Sequence, residues 1–131
     1  MTERPLSPHL SVYRMSRYTL LTSIVNRATG LVLSAGLILL VYWLVAIASG
    51  PAAYRAARAV LSLGVLKAVY VILLATFSYH LFAGIRHLIW DTGHGLERAQ
   101  SQRSAWLVVA VSLILMLVIA WRAWLTGTHA P

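Results

Sequence analysis

The sequence predicts an all-α membrane protein with three transmembrane helices. Two observations carry that expectation. The 131 residues are 60% hydrophobic and only 11% charged, whereas a soluble domain has about 25% charged residues. So few charges cannot coat a water-facing surface, and lipid must be part of the solvent. The apolar residues also gather into three runs, Ala28 to Ala48, Val65 to Trp90 and Ala105 to Leu125. Each is long enough for the roughly 20 residues a helix needs to cross a ~30 Å hydrocarbon core. Backbone polar groups must pair within the segment in lipid, so these runs are helices rather than strands. A disordered chain is excluded, because such chains are poor in aliphatic and aromatic residues.

The elements follow in order. Residues 1–19 form an N-terminal segment, irregular at first because Pro5 and Pro8 stand among polar groups. The first span covers 20–48 and stops at Ser49-Gly50-Pro51, where Gly relaxes the helix end and Pro cannot continue it. A connection over 49–64 has room for a short surface helix at 52–64. The second span covers 65–90, with Lys67 at its start and Arg86 and His87 near its end. Residues 91–104 carry Gly93, Gly95 and mixed charges and read as a polar loop. The third span covers 105–125, with Arg122 snorkelling at its tail, and 126–131 form a tail.

Charge sets the direction. The net charge of +8 would suggest nucleic acid in a soluble protein, but in a membrane protein it is first a topological signal. Arg4, Arg14, Arg17 and Arg27 share one side with Arg86, Arg98 and Arg103, and Arg55, Arg58, Lys67 and Arg122 lie on the other. The excess places the N-terminus and the second loop in the cytoplasm and 49–64 in the periplasm. No nucleic-acid partner is implied. The first apolar run begins too late and is too long for a cleavable signal. With no cysteine, thiolate-held clusters, disulfides and c-type haem attachment are excluded.

His80 is the most informative residue. It lies about 9–15 Å below the cytoplasmic interface at ~1.5 Å per residue, where a polar side chain is costly and marks function. Imidazole is the commonest metal ligand; the alternative is a histidine hydrogen-bonded to a neighbouring helix. His80, Gly84, His87 and Asp91 share one helix face. That pattern suits haem, with His80 as axial ligand and Gly84 clearing space for a flat macrocycle. Arg86 or His87 would meet the propionates. Gly84 reads equally as a small-residue helix contact, Arg86 as an interfacial anchor, and Asp91 as a loop acid. No second deep histidine is present, so the other ligand would come from a second chain, making this chain part of a heteromeric helix bundle.

A second polar stripe opens the first span: Ser23, Asn26, Arg27 and Gly30. A hydroxyl and a guanidinium at the cytoplasmic edge suit the carbonyl oxygens of a quinone and the charge that develops on them. The alternative makes Ser23 a helix cap and Arg27 a headgroup anchor. The remaining histidines, His9, His94 and His129, sit in polar segments without partners at ligand spacing, and the tryptophans fit an aromatic belt.

Three motifs carry a resemblance. They are Arg4-Pro5-Leu6-Ser7-Pro8-His9-Leu10 followed by Tyr13-Arg14, then Ser23-Ile24-Val25-Asn26-Arg27-Ala28-Thr29-Gly30, then His80-Leu81-Phe82-Ala83-Gly84-Ile85-Arg86-His87-Leu88-Ile89-Trp90-Asp91. In this order, on three spans, the chain resembles the cytochrome b subunits of succinate dehydrogenase (succinate:quinone oxidoreductase, respiratory complex II). The resemblance implies a four-subunit enzyme. A flavoprotein subunit with FAD oxidises succinate, and an iron–sulfur subunit relays electrons. Two small membrane anchors hold haem b between them and help form the ubiquinone site. It implies His80 as one axial ligand of the haem iron and Ser23 and Arg27 in the quinone pocket. Arg27 and His87 would lie near the propionates, with Gly30 and Gly84 beside the haem. Asn26 stands where many members have histidine; amide cannot take up a proton near neutral pH, so it keeps only a binding role. With no transit-peptide pattern visible, a bacterial inner membrane is expected rather than a mitochondrial one.

Two other classes compete. A purely structural anchor without haem leaves His80 unexplained. A small ion- or proton-conducting subunit would need acidic or paired polar residues along the spans, and none occurs in mid-span.

Overall fold

The computed structural model describes the backbone of residues 17–128 and the side chains of 20–126. The N-terminal motif from Arg4 to Arg14 and the end of the tail lie outside these residues. Four helices follow in order: α1 (Arg17–Ala48), α2 (Pro51–Leu61), α3 (Gly64–Asp91) and α4 (Arg98–Thr128). No strand occurs among the described residues. Three helices are long and apolar enough to cross a membrane: Leu20–Ala48, Gly64–Asp91 and Arg98–Thr126. At ~1.5 Å per residue each is longer than the ~30 Å hydrocarbon core, so their ends reach the headgroups. The protein is an integral membrane protein.

The short surface helix expected between the first two spans is α2. Gly50 takes φ 98° and ψ −180°, a conformation that favours glycine. Pro51 then starts the helix where a missing N–H costs nothing. Tyr70 in α3 donates from its hydroxyl to the Leu61 carbonyl at 3.0 Å, tying the end of α2 to the next span.

Helix α4 begins at Arg98, well ahead of the apolar run that starts at Ala105. Gly93 and Gly95, both at positive φ, turn the chain. From Arg98 to Leu125 no Gly or Pro interrupts the chain, so the polar stretch Arg98–Ser104 forms the first turns of the helix.

Helix α3 is central and packs on both α1 and α4, which barely touch each other. The contacts use small and polar residues rather than a large apolar core. The buried hydrophobic residues are Ala46, Ala57, Ala83 and Val108, while Leu31, Ile38 and Val65 are about 70% exposed at 74%, 71% and 69%. In lipid, large aliphatic side chains gain nothing by leaving the solvent, so close backbone approach drives association. Gly36 shows this: a Cβ there would lie 2.5 Å from Leu73 Cδ2. On the other side of α3, Ser112 donates to the Ser78 carbonyl at 3.2 Å and to the Val108 carbonyl at 2.6 Å.

Candidate functional site

The polar stripe of α1 and the histidine of α3 meet where the first half of α1 packs against the second half of α3. Antiparallel packing brings Gly30 against His80, where an added Cβ would sit 3.2 Å from His80 Cε1. Gly30 thus gives the imidazole its place against α1. The Thr29 Oγ1 lies 3.0 Å from His80 Nδ1 and donates to the Asn26 carbonyl at 2.9 Å. His80 is half-buried, and beside it an open apolar trough of about 690 Å³ runs between α1 and α3 past Leu33, Leu37, Leu73 and Phe77.

Asn26 is half-buried, and its Oδ1 is buried without a hydrogen-bond partner. A buried acceptor left unpaired costs free energy, so this atom suits a donor from a bound molecule. Arg27 is exposed on the same stripe. Ser23 is half-buried inside α1, which begins at Arg17. The helix-cap alternative for Ser23 therefore does not hold.

On α3, a Cβ at Gly84 would meet nothing within 4 Å. Within this chain Gly84 is not a helix-packing glycine; Gly30 and Gly36 fill that role. The surface above Gly84 is open to another molecule. His87 is exposed, donates from Nδ1 to the Ala83 carbonyl at 2.8 Å and lies against Trp90 with ring centroids 5.2 Å apart. That bond leaves Nε2 free to face outward.

Arg86 is engaged elsewhere. It is buried and reaches into the first turns of α4. Nε donates to Ser104 Oγ at 2.9 Å, and Nη2 donates to the Ser101 carbonyl at 2.7 Å and Ser101 Oγ at 3.1 Å. Its guanidinium lies 4.0 Å from the centroid of a Trp90 ring. Of the two candidates for a donor near the interface, Arg86 is thus held inside the bundle and His87 is the one that remains outward. Among the described residues, no three of His, Cys, Asp or Glu come together as a metal site.

The family model for succinate dehydrogenase/fumarate reductase transmembrane subunits matches residues 1–119. This chain belongs to that family. Curated succinate dehydrogenase cytochrome b subunits match it at nearly full length. The cytochrome b556 subunit of Paracoccus denitrificans is 40% identical over 115 residues, covering 88% of each chain. The cytochrome b560 subunit of Reclinomonas americana is 36% identical over 123 residues, covering 90% of this chain and 84% of the relative. The human mitochondrial cytochrome b560 subunit is 32% identical over 121 residues, covering 91% of this chain and 71% of the relative. The chain is thus similar over most of its length to membrane subunits of succinate dehydrogenase. It is a membrane subunit of an enzyme complex and works with partner subunits.

Three hydroxyl residues of this chain escape a reading of the sequence. Thr29 looks like any small polar residue of a membrane helix until α1 and α3 are docked. Ser104, with Ser101, reads as loop until α4 extends to meet Arg86. Thr29 lies within the second motif but carries no chemistry of its own there, and Ser101 and Ser104 lie 15 and 18 residues from Arg86 on a different helix, so spacing does not reveal the pairing.

Proposed function

We propose that this chain binds haem b together with a second small membrane anchor and helps form the ubiquinone site of a bacterial succinate dehydrogenase in the inner membrane. The flavoprotein subunit with FAD and the iron–sulfur subunit complete the enzyme. The observation that carries the reading is the convergence of Thr29 and Gly30 of α1 on His80 of α3.

The residues fit a haem. His80 offers an imidazole beside an open apolar trough, the open surface at Gly84 leaves room for a flat ring, and Gly30 seats the imidazole. His80 would ligate iron, and a further ligand would come from the second anchor. His87 and Arg27 would hold the propionates. When bound, haem supplies a one-electron store beside the quinone.

For ubiquinone, Ser23 and Arg27 supply donors to its carbonyl oxygens. Arg27 stabilises negative charge that develops there on reduction, an effect strengthened away from bulk water. The Asn26 amide orients the headgroup; its unpaired Oδ1 accepts from the hydroxyl of the reduced product. Asn26 cannot itself deliver a proton, so protons reach the site from the cytoplasmic side.

Arg27→Ala in the assembled complex tests this. Ubiquinone reduction by succinate should fall far more than reduction of an artificial dye that takes electrons from the soluble subunits. Equal loss of both activities would contradict a quinone role for Arg27.

A further inference from the structure

We propose that Thr29 is a positioning residue for His80, fixing which ring nitrogen carries the proton and so turning Nε2 into the metal-binding atom. The inference rests on the haem reading above and deepens it. The Thr29 hydroxyl has one proton and two contacts, the Asn26 carbonyl at 2.9 Å and His80 Nδ1 at 3.0 Å. A carbonyl oxygen can only accept, so the hydroxyl proton goes to Asn26. Thr29 Oγ1 must then accept from His80, which places the imidazole proton on Nδ1. The lone pair of the neutral ring is left on Nε2.

A second contact acts with the first. Gly30 lets the ring approach α1 until Cε1 would lie 3.2 Å from an added Cβ. The ring is therefore held by the hydrogen bond it donates to residue 29 and by the space at residue 30, consecutive positions of one helix. A metal-bound imidazole commonly donates its other N–H to an oxygen, which fixes its orientation and raises its basicity; losing that partner weakens metal binding about 10–100-fold. Thr29 fills this role from a different helix, so the aim of His80 depends on α1–α3 docking.

The test uses the intact purified complex with Thr29→Val, which keeps the side-chain shape without the hydroxyl, and Thr29→Ser, which keeps the hydroxyl. Haem release to excess apomyoglobin and the haem midpoint potential are measured. Thr29→Val should release haem about 10–100-fold more readily and shift the potential upward, because a less basic imidazole stabilises ferric iron less. Thr29→Ser should stay near wild type. A Val variant that arrives without haem supports the inference if the Ser variant retains it. A Val variant equal to wild type in release and potential overturns the role of Thr29, as does a Ser variant as impaired as Val. A wild-type complex without haem, or His80→Ala with unchanged haem, overturns the haem reading itself.

Discussion

Gly30 and Gly36 both lie where α1 meets α3, yet replacing each with Ala should have opposite consequences for the site. At Gly36 the added Cβ would approach Leu73 Cδ2 to 2.5 Å, the closer contact of the two. Leu73, however, lines the open trough, and the clash is with the end of a flexible side chain. A turn of its χ angles relieves it at about 0.5–1.5 kcal/mol if the new rotamer is imperfect. Replacing Gly with Ala inside a helix returns about 1 kcal/mol, so Gly36→Ala should be close to neutral. At Gly30 the added Cβ would lie 3.2 Å from His80 Cε1. Carbon atoms prefer about 3.5–4.0 Å, so the ring must retreat by about 0.3–0.8 Å. That retreat carries the Thr29–His80 contact from 3.0 Å beyond the usual ~3.2 Å limit for N–H···O bonds. Overpacking of this kind costs about 1–3 kcal/mol, and here it falls on the proposed ligand. In purified complexes with equal flavin content, Gly30→Ala should show reduced haem per flavin or a shifted haem potential. Gly36→Ala should match wild type. Gly36→Ala as the more damaging variant, or Gly30→Ala with unaltered haem, would refute the reasoning.

Arg86→Met should lower the thermal stability of the complex by at least the ~1.5–3 kcal/mol of one charge-assisted hydrogen bond, because it removes the guanidinium that donates to Ser101 and Ser104; an unchanged unfolding temperature would argue that α4 does not depend on this anchor. Ser104→Ala should do the same more mildly, about 1 kcal/mol. Because the chain has no cysteine, single-cysteine variants report topology cleanly. Ala52→Cys should be labelled in intact cells by a reagent that cannot cross the membrane, and Gln102→Cys only after the membrane is opened. The reverse pattern would invert the orientation.

The spans were legible in the sequence because a bilayer imposes a length and a polarity that few other constraints mimic. His80 stands out for the same reason: an imidazole well inside an apolar run needs a ligand or a partner on a neighbouring helix, and the structure sets it against Thr29 of α1. Which faces meet was not legible. Gly84 was read equally as clearance and as packing, and only docking showed that its surface is open while Gly30 and Gly36 pack. Ser23 looked like a cap because the apolar run starts after it, whereas the helix begins at Arg17. Arg86 stood beside His87 in sequence and seemed its equal, but a step of one residue turns a helical side chain by about 100°. That turn carries Arg86 into α4 and leaves His87 outward.

His80 is proposed to hold haem for a succinate dehydrogenase complex. The most direct measurement is the reduced-minus-oxidised absorption spectrum of the complex purified in mild detergent, for wild type and His80→Ala at equal flavoprotein content. The wild type should show a b-type α-band that is lost or strongly weakened in the variant, with the flavoprotein still bound. A band of equal size and position in both would contradict it.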